Sequence, residues 1–271
     1  MTFDQREISN FDGKPVILYE FTRGALAWRY CTADRDITLG ADTYSAVPIS
    51  DAGVHQSGQP SADNFEITLP SNAAVPVLYR GTPPSDRIWL KIRRMHFGDG
   101  EAAVVWVGSV VQATQRDEAE TTLICQSLTS SFEGNGLRLS WQRSCPHMLY
   151  DSECKVDKEL FRHTTTVAAL DGITVQLASD GGKPDRWFSG GFLEWSVAEG
   201  TFERRPVEEQ TGALLRLIGG TDGMTVGMTV NVYPGCPLTS AACSGKFNNI
   251  ANYGGIIHLP GKSPFDGSNP F

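Results

Sequence analysis

The chain has 271 residues, enough for one large domain or two smaller ones, and 40% hydrophobic with 10% aromatic residues marks a globular rather than a disordered protein. A formal net charge of −8 argues against broad, sequence-independent binding to nucleic acid, which needs phosphate-neutralising Lys and Arg. The longest apolar run, Ala102 to Val107, is a core-strand length and far short of the roughly 18–20 residues that span a bilayer. With no secretory signal readable either, the chain is expected to stay in the cytoplasm or to be built into a particle there, without membrane insertion.

In chain order, Pro15 to Phe21 reads as a strand, followed across Arg23-Gly24 by Trp28 to Thr32, at hairpin distance. Asp34, Asp36 and Asp42 surround a short β pair at Ile37 to Tyr44; the EF-hand pattern is absent, so these are turn residues, not a calcium loop. Phe65 to Leu69 alternates strictly and Pro70 ends it; Val75 to Leu78 suits a helical turn. Ile88 to Arg93 and Val104 to Val111 predict two long strands joined at Gly98-Asp99-Gly100, with Thr121 to Leu128 as another. The basic run Lys91 to Arg94 falls on an alternating strand and reads as a solvated face. About eight strands before residue 130 with almost no helical period predict a mainly β chain, with a barrel or sandwich first.

The pattern then changes. Trp141 to Tyr150 suits a short helix, and Asp151-Ser152 a turn. A second, smaller β-rich domain follows: Ile173 to Leu177, Phe188 to Val197, Glu203 to Gln210, Ala213 to Ile218 and the alternating Val226 to Val232. The predicted domains are 1–139, 140–259 and an extended, aperiodic tail at 260–271 anchored by Phe265 and Phe271.

Two cysteine pairs flank this second domain: Cys145 and Cys154 with eight residues between them, and Cys236 and Cys243 with six. Four thiolates brought together by a fold can hold a tetrahedral zinc or a cubane iron–sulfur cluster. Zinc sites usually contain a knuckle with two to four intervening residues, which neither pair makes, so the spacing suits the larger centre better. Buried free thiols and disulfides remain alternatives, although a chain of this length needs no staples. Cys31 and Cys125 lie inside strand-like runs and read as small core hydrophobes. His147 lies between two candidate ligands and reads as a polar loop residue, while Arg143, Lys155 and Lys158 place positive charge near the first pair. No phosphate-binding loop, His-Glu-x-x-His or Gly-x-Ser-x-Gly is present, and Gly134-Asn135-Gly136 is a lone turn, so the chain is not expected to be an enzyme.

The run from Tyr233 to Gly261, with Pro234-Gly235-Cys236, Cys243, Lys246-Phe247, Asn252-Tyr253-Gly254-Gly255 and His258 to Gly261, resembles the C-terminal signature of phage tail-tip, or baseplate, hub proteins. Only the two cysteine segments and this tail are specific to that family, which siphophage-like tails share with gene transfer agents. The resemblance implies a structural virion protein at the tail tip, with a hub domain over 1–139 and a cluster-bearing domain over 140–259. It implies a [4Fe-4S] cluster on Cys145, Cys154, Cys236 and Cys243, with no role for Cys31 or Cys125. It also implies a homotrimer between a distal tail protein and a central, receptor-facing fibre protein. An iron–sulfur redox module and a zinc-stabilised binding protein are the alternative readings.

Overall fold

The computed structural model describes residues 3–9, 11, 13–54, 64–98, 100–115, 117–133 and 139–259. The expected tail at 260–271, the turn at Gly134 to Gly136 and the Asp99 of the predicted turn lie outside them. The class is mainly β, as the alternation predicts. Two compact units divide the chain: Met1–Gly134 with Ser196–Glu203, and Asn135–Trp195 with Arg204–Phe271.

Nine strands build the sheet of the first unit: β1 (Pro15–Arg23), β2 (Leu26–Cys31), β3 (Ile37–Leu39), β4 (Asp42–Ala46), β5 (Ser50–Asp51), β6 (Asn64–Pro70), β7 (Ile88–His96), β8 (Ala102–Gln115) and β9 (Glu120–Ser127). Their order is β3-β4-β2-β1-β7-β8-β9-β6-β5, antiparallel except for the β2–β4 pair. Period-two alternation sends Tyr19, Phe21, Phe65, Ile67, Leu69, Ile88, Leu90, Ile92, Leu123 and Cys125 into one core. The opposite face of β1 packs Val16 and Leu18 with Cys31, Ile37, Tyr44 and Met95. The turn predicted at Val75 is a four-residue helix, Ala74–Val77.

The basic run on β7 does not simply face solvent. Ile92 is core, while Lys91 and Arg93 converge with Arg29 on Glu20, whose side chain is 9% exposed (N–O distances 3.5, 2.9 and 3.2 Å). Burial raises the Glu20 carboxyl, but the charges of Arg93, Lys91 and Arg29 outweigh it and hold the group below the usual carboxylate range. A carboxyl with a depressed folded pKa contributes stability that is present above its unfolded pKa and lost as pH falls through the folded value. Glu20→Gln is therefore expected to flatten the acid side of the stability profile, read as urea midpoints between about pH 7 and about pH 3. An unchanged acid dependence would contradict this account.

A closed barrel organises the second half of the chain. Its strands are β10 (His163–Asp171), β11 (Thr174–Leu177), β12 (Phe192–Ala198), β13 (Thr201–Thr211), β14 (Leu214–Leu217) and β15 (Thr229–Tyr233), in the order β10-β11-β14-β13-β12-β15. The barrel thus lies in the second half, whereas the first unit carries a long sheet. Inside it pack Val167, Val175, Leu177, Leu193, Trp195, Val207, Leu215, Val230 and Val232. Two predicted strands start late: β12 at Phe192, after turns through Gly190 and Gly191, and β15 at Thr229, after the positive-φ Gly227. The turn between β12 and β13 belongs to the first unit. There Glu203 forms a buried ion pair with Arg23 and accepts the Ser85 N–H at 2.9 Å.

Candidate metal centre

Two loops of the second unit carry the cysteine pairs. The first, before β10, is not the predicted helix: residues 141–148 form no regular element. Pro146 removes a donor and biases Cys145 toward extended backbone, and Tyr150 turns the chain with φ 71°. Asp151 then organises the turn into Cys154. One carboxylate oxygen accepts the N–H groups of Glu153 (3.0 Å) and Cys154 (2.6 Å), and the other accepts that of Met148 (2.9 Å). Burial raises this carboxyl, but the three N–H bonds together with His147 hold it below the usual range.

The second loop leaves β15 at Pro234-Gly235-Cys236. A Cβ on Gly235 would lie 2.1 Å from the Ser189 carbonyl oxygen, so only glycine allows this approach. Cys243 sits on a short helix, Ser240–Gly245, whose first turn is capped by the Thr239 hydroxyl accepting from Ala242 N–H. The two loops are tied directly: the Cys145 N–H donates to the Leu238 carbonyl at 2.9 Å, and the Tyr150 hydroxyl donates to the Pro234 carbonyl at 2.9 Å. Among the described residues, five non-glycine residues have positive φ, and four of them (Tyr150, Lys155, Leu238 and Asn248) flank the cysteines.

Cys145, Cys154, Cys236 and Cys243 line one small cavity, walled by Leu149, Val156, Phe247 and Tyr253. His147 is on the wall as well. All six cysteines are free thiols, so no disulfide forms; Cys31 and Cys125 are buried within the first unit, and burial pushes the Cys125 thiol up to about 12. Burial likewise raises Cys236 and Cys243, and the neighbouring sulfurs add to the shift; the Leu238 N–H, 3.4 Å from Cys236 Sγ, and Lys246 pull Cys236 back down in part. Four thiolates lining one partly desolvated cavity would repel one another, and a cationic centre would remove that repulsion. Among the described residues, no three His, Cys, Asp or Glu side chains are gathered as ligands of a single metal ion.

Positive charge at Cys236 is supplied by Lys246. Arg143 donates to the Leu259 carbonyl, and Lys158 lies by Glu159 and Glu194. Lys246 is held by the carbonyls of Gly235 (2.8 Å) and Trp187 (2.5 Å), over the Trp187 ring, and burial lowers its pKa to about 8. The sequence places it only within the Lys246-Phe247 signature, and its role at Cys236 was not readable because Trp187 is 59 residues away.

A sheet-and-barrel chain with a cavity lined by four thiols from two loops defines a mainly β protein with a candidate metal centre. Residues 17–157 match the family described as "Baseplate hub protein, N-terminal attachment domain", and residues 186–263 match "Phage conserved hypothetical protein BR0599". Each match contains one cysteine pair. The first covers more than half of the chain, which therefore belongs to the phage baseplate hub family. As a member of that family it is a phage baseplate structural protein. An uncharacterized protein of Xylella fastidiosa (strain 9a5c) is 32% identical over 186 residues, covering 63% of this chain; the chain spans 38% of that relative's length. A solved chain described as "Virion of native gene transfer agent (GTA) particle" shares the fold with TM-score 0.79 and 20% identity, over 100% of this chain and 99% of that one.

Proposed function

We propose that the protein is the tail-tip hub of a long-tailed bacteriophage or phage-like particle, assembled in the host cytoplasm. It works as a homotrimer between a distal tail protein and a central, receptor-facing fibre protein. Cys145, Cys154, Cys236 and Cys243 hold a [4Fe-4S] cluster. The observation that carries the cluster reading is that these four thiols, from loops 91 residues apart in sequence, line one cavity. The donor set is all thiol, partly desolvated and offset by Lys246. When bound, the cluster supplies a cross-link between residues 145–154 and 236–243, and its binding energy is also folding energy for the second unit. The chain's own part is to hold the loops: Asp151 shapes the first, Gly235 and Thr239 the second, and the Cys145–Leu238 bond joins them.

Native mass spectrometry of the anaerobically purified protein tests both parts at once. The expected result is a mass of three chains, each carrying the iron and sulfide of one cubane. Stoichiometric zinc without sulfide overturns the cluster, and a monomer at every concentration overturns the self-assembled trimer.

A further inference from the structure

We infer that Asn249 is a positioning residue of the thiol site: it clasps the two cysteine loops together and aims an amide N–H at the sulfur of Cys154. This rests on the cluster reading above and goes beyond it by assigning a role to a residue that is not a ligand. Asn249 follows Asn248, whose φ of 48° turns the chain back after the helix Ser240–Gly245. Its backbone N–H donates to the Cys243 carbonyl (2.9 Å), and its own carbonyl accepts the Cys243 thiol (3.2 Å). Its side chain reaches the other loop, where Nδ2 lies 2.6 Å from the Cys154 carbonyl oxygen and 3.9 Å from Cys154 Sγ. One residue therefore touches a cysteine of each pair.

The orientation of the amide follows from its partners. The Cys154 carbonyl can only accept, so it faces Nδ2; on the other side Oδ1 accepts from Asn252 Nδ2 at 2.7 Å. With one Nδ2 hydrogen committed to the carbonyl, the second is the one directed toward sulfur. A donor aimed at a ligand sulfur stabilises negative charge on the centre it serves, and so favours the reduced state. The same clasp fixes where Cys154 stands relative to Cys243.

The test uses the full chain, purified anaerobically, with iron and sulfide measured first and the midpoint potential then read by spectroscopically monitored titration with a chemical reductant. Asn249→Asp is nearly isosteric, keeps the acceptor for Asn252 and removes both donors. Its midpoint is expected to become more negative, by about tenfold in the reduction equilibrium, or ~59 mV for one electron. Asn249→Ala, which adds no charge, is expected to move the same way, and Asn252→Ala to leave the midpoint in place. If both Asn249 variants lose iron while Asn252→Ala keeps it, the clasp itself is supported. If Asn252→Ala acts as strongly as the Asn249 variants, the effect belongs to the loop in general and the inference falls. Unchanged midpoints and iron contents in both Asn249 variants overturn it while leaving the cluster standing. A wild-type protein without iron and sulfide overturns the cluster reading, and this inference with it.

Discussion

Serine in place of any one of Cys145, Cys154, Cys236 or Cys243 is expected to abolish iron and sulfide binding and to destabilise the second unit by at least ~3 kcal/mol. Cys31→Ser and Cys125→Ser are expected to leave the metal content unchanged. With one thiol replaced, the site loses a ligand and with it the cross-link between the two loops, so partial occupancy is not a stable compromise. The two remaining cysteines differ from these and from each other. The Cys31 thiol lies near the carbonyls of Arg35 (3.6 Å) and Tyr44 (3.5 Å), which can also accept from a serine hydroxyl, so its replacement is the milder. Cys125 is fully buried in the apolar core of the sheet, and a hydroxyl there costs about 1–3 kcal/mol unless it finds a partner. Metal and sulfide assays read against calorimetry separate the two groups. Equal loss of iron at all six positions would mean general misfolding rather than a four-thiol site.

The second large effect is expected in the first unit, at Glu203. Arg23 and Glu203 are 4% and 7% exposed at their side chains, and Arg23 also donates to the Phe202 carbonyl at 3.2 Å. Glu203→Ala leaves a buried guanidinium without its counter-charge and the Ser85 N–H without its acceptor, at a cost of about 3–5 kcal/mol. The pair itself is not what makes the unit stable. Desolvating two charges offsets most of their attraction, so Arg23→Met combined with Glu203→Leu is expected to recover most of the loss. Chemical denaturation of Arg23→Met, Glu203→Leu and the double variant gives the coupling directly. Additive single effects would show that the two side chains do not act as a pair.

Much of the sheet was legible from alternation, because a strand with one buried face must repeat every two residues. Phe65 to Leu69 is the clear case: β6 runs Asn64–Pro70 with Phe65, Ile67 and Leu69 buried, and ends at the proline. The cysteine loops were less legible. Trp141 to Tyr150 carries helix-compatible residues, yet its shape depends on Pro146, on the Asp151 carboxylate and on bonds to residues 84–110 positions away. The short helix that presents Cys243 was missed because six residues of Ser, Ala, Cys and Gly show no apolar period; only the Thr239 cap announces it.

Local composition alone therefore decided the mainly β class, the absence of a catalytic signature and the candidate ligand types, since each depends on residue identity within a few positions. Which strands close into the barrel, and whether the two cysteine pairs meet, depended on pairings between distant segments. β10 must pair with β15, and the Cys145 N–H must find the Leu238 carbonyl, before four thiols face one cavity. Lys246 and Asn249 belong wholly to that second level. Their chemistry is ordinary in the sequence, and it becomes specific only when Gly235 and Trp187 for one, and Cys154 for the other, come within hydrogen-bond reach.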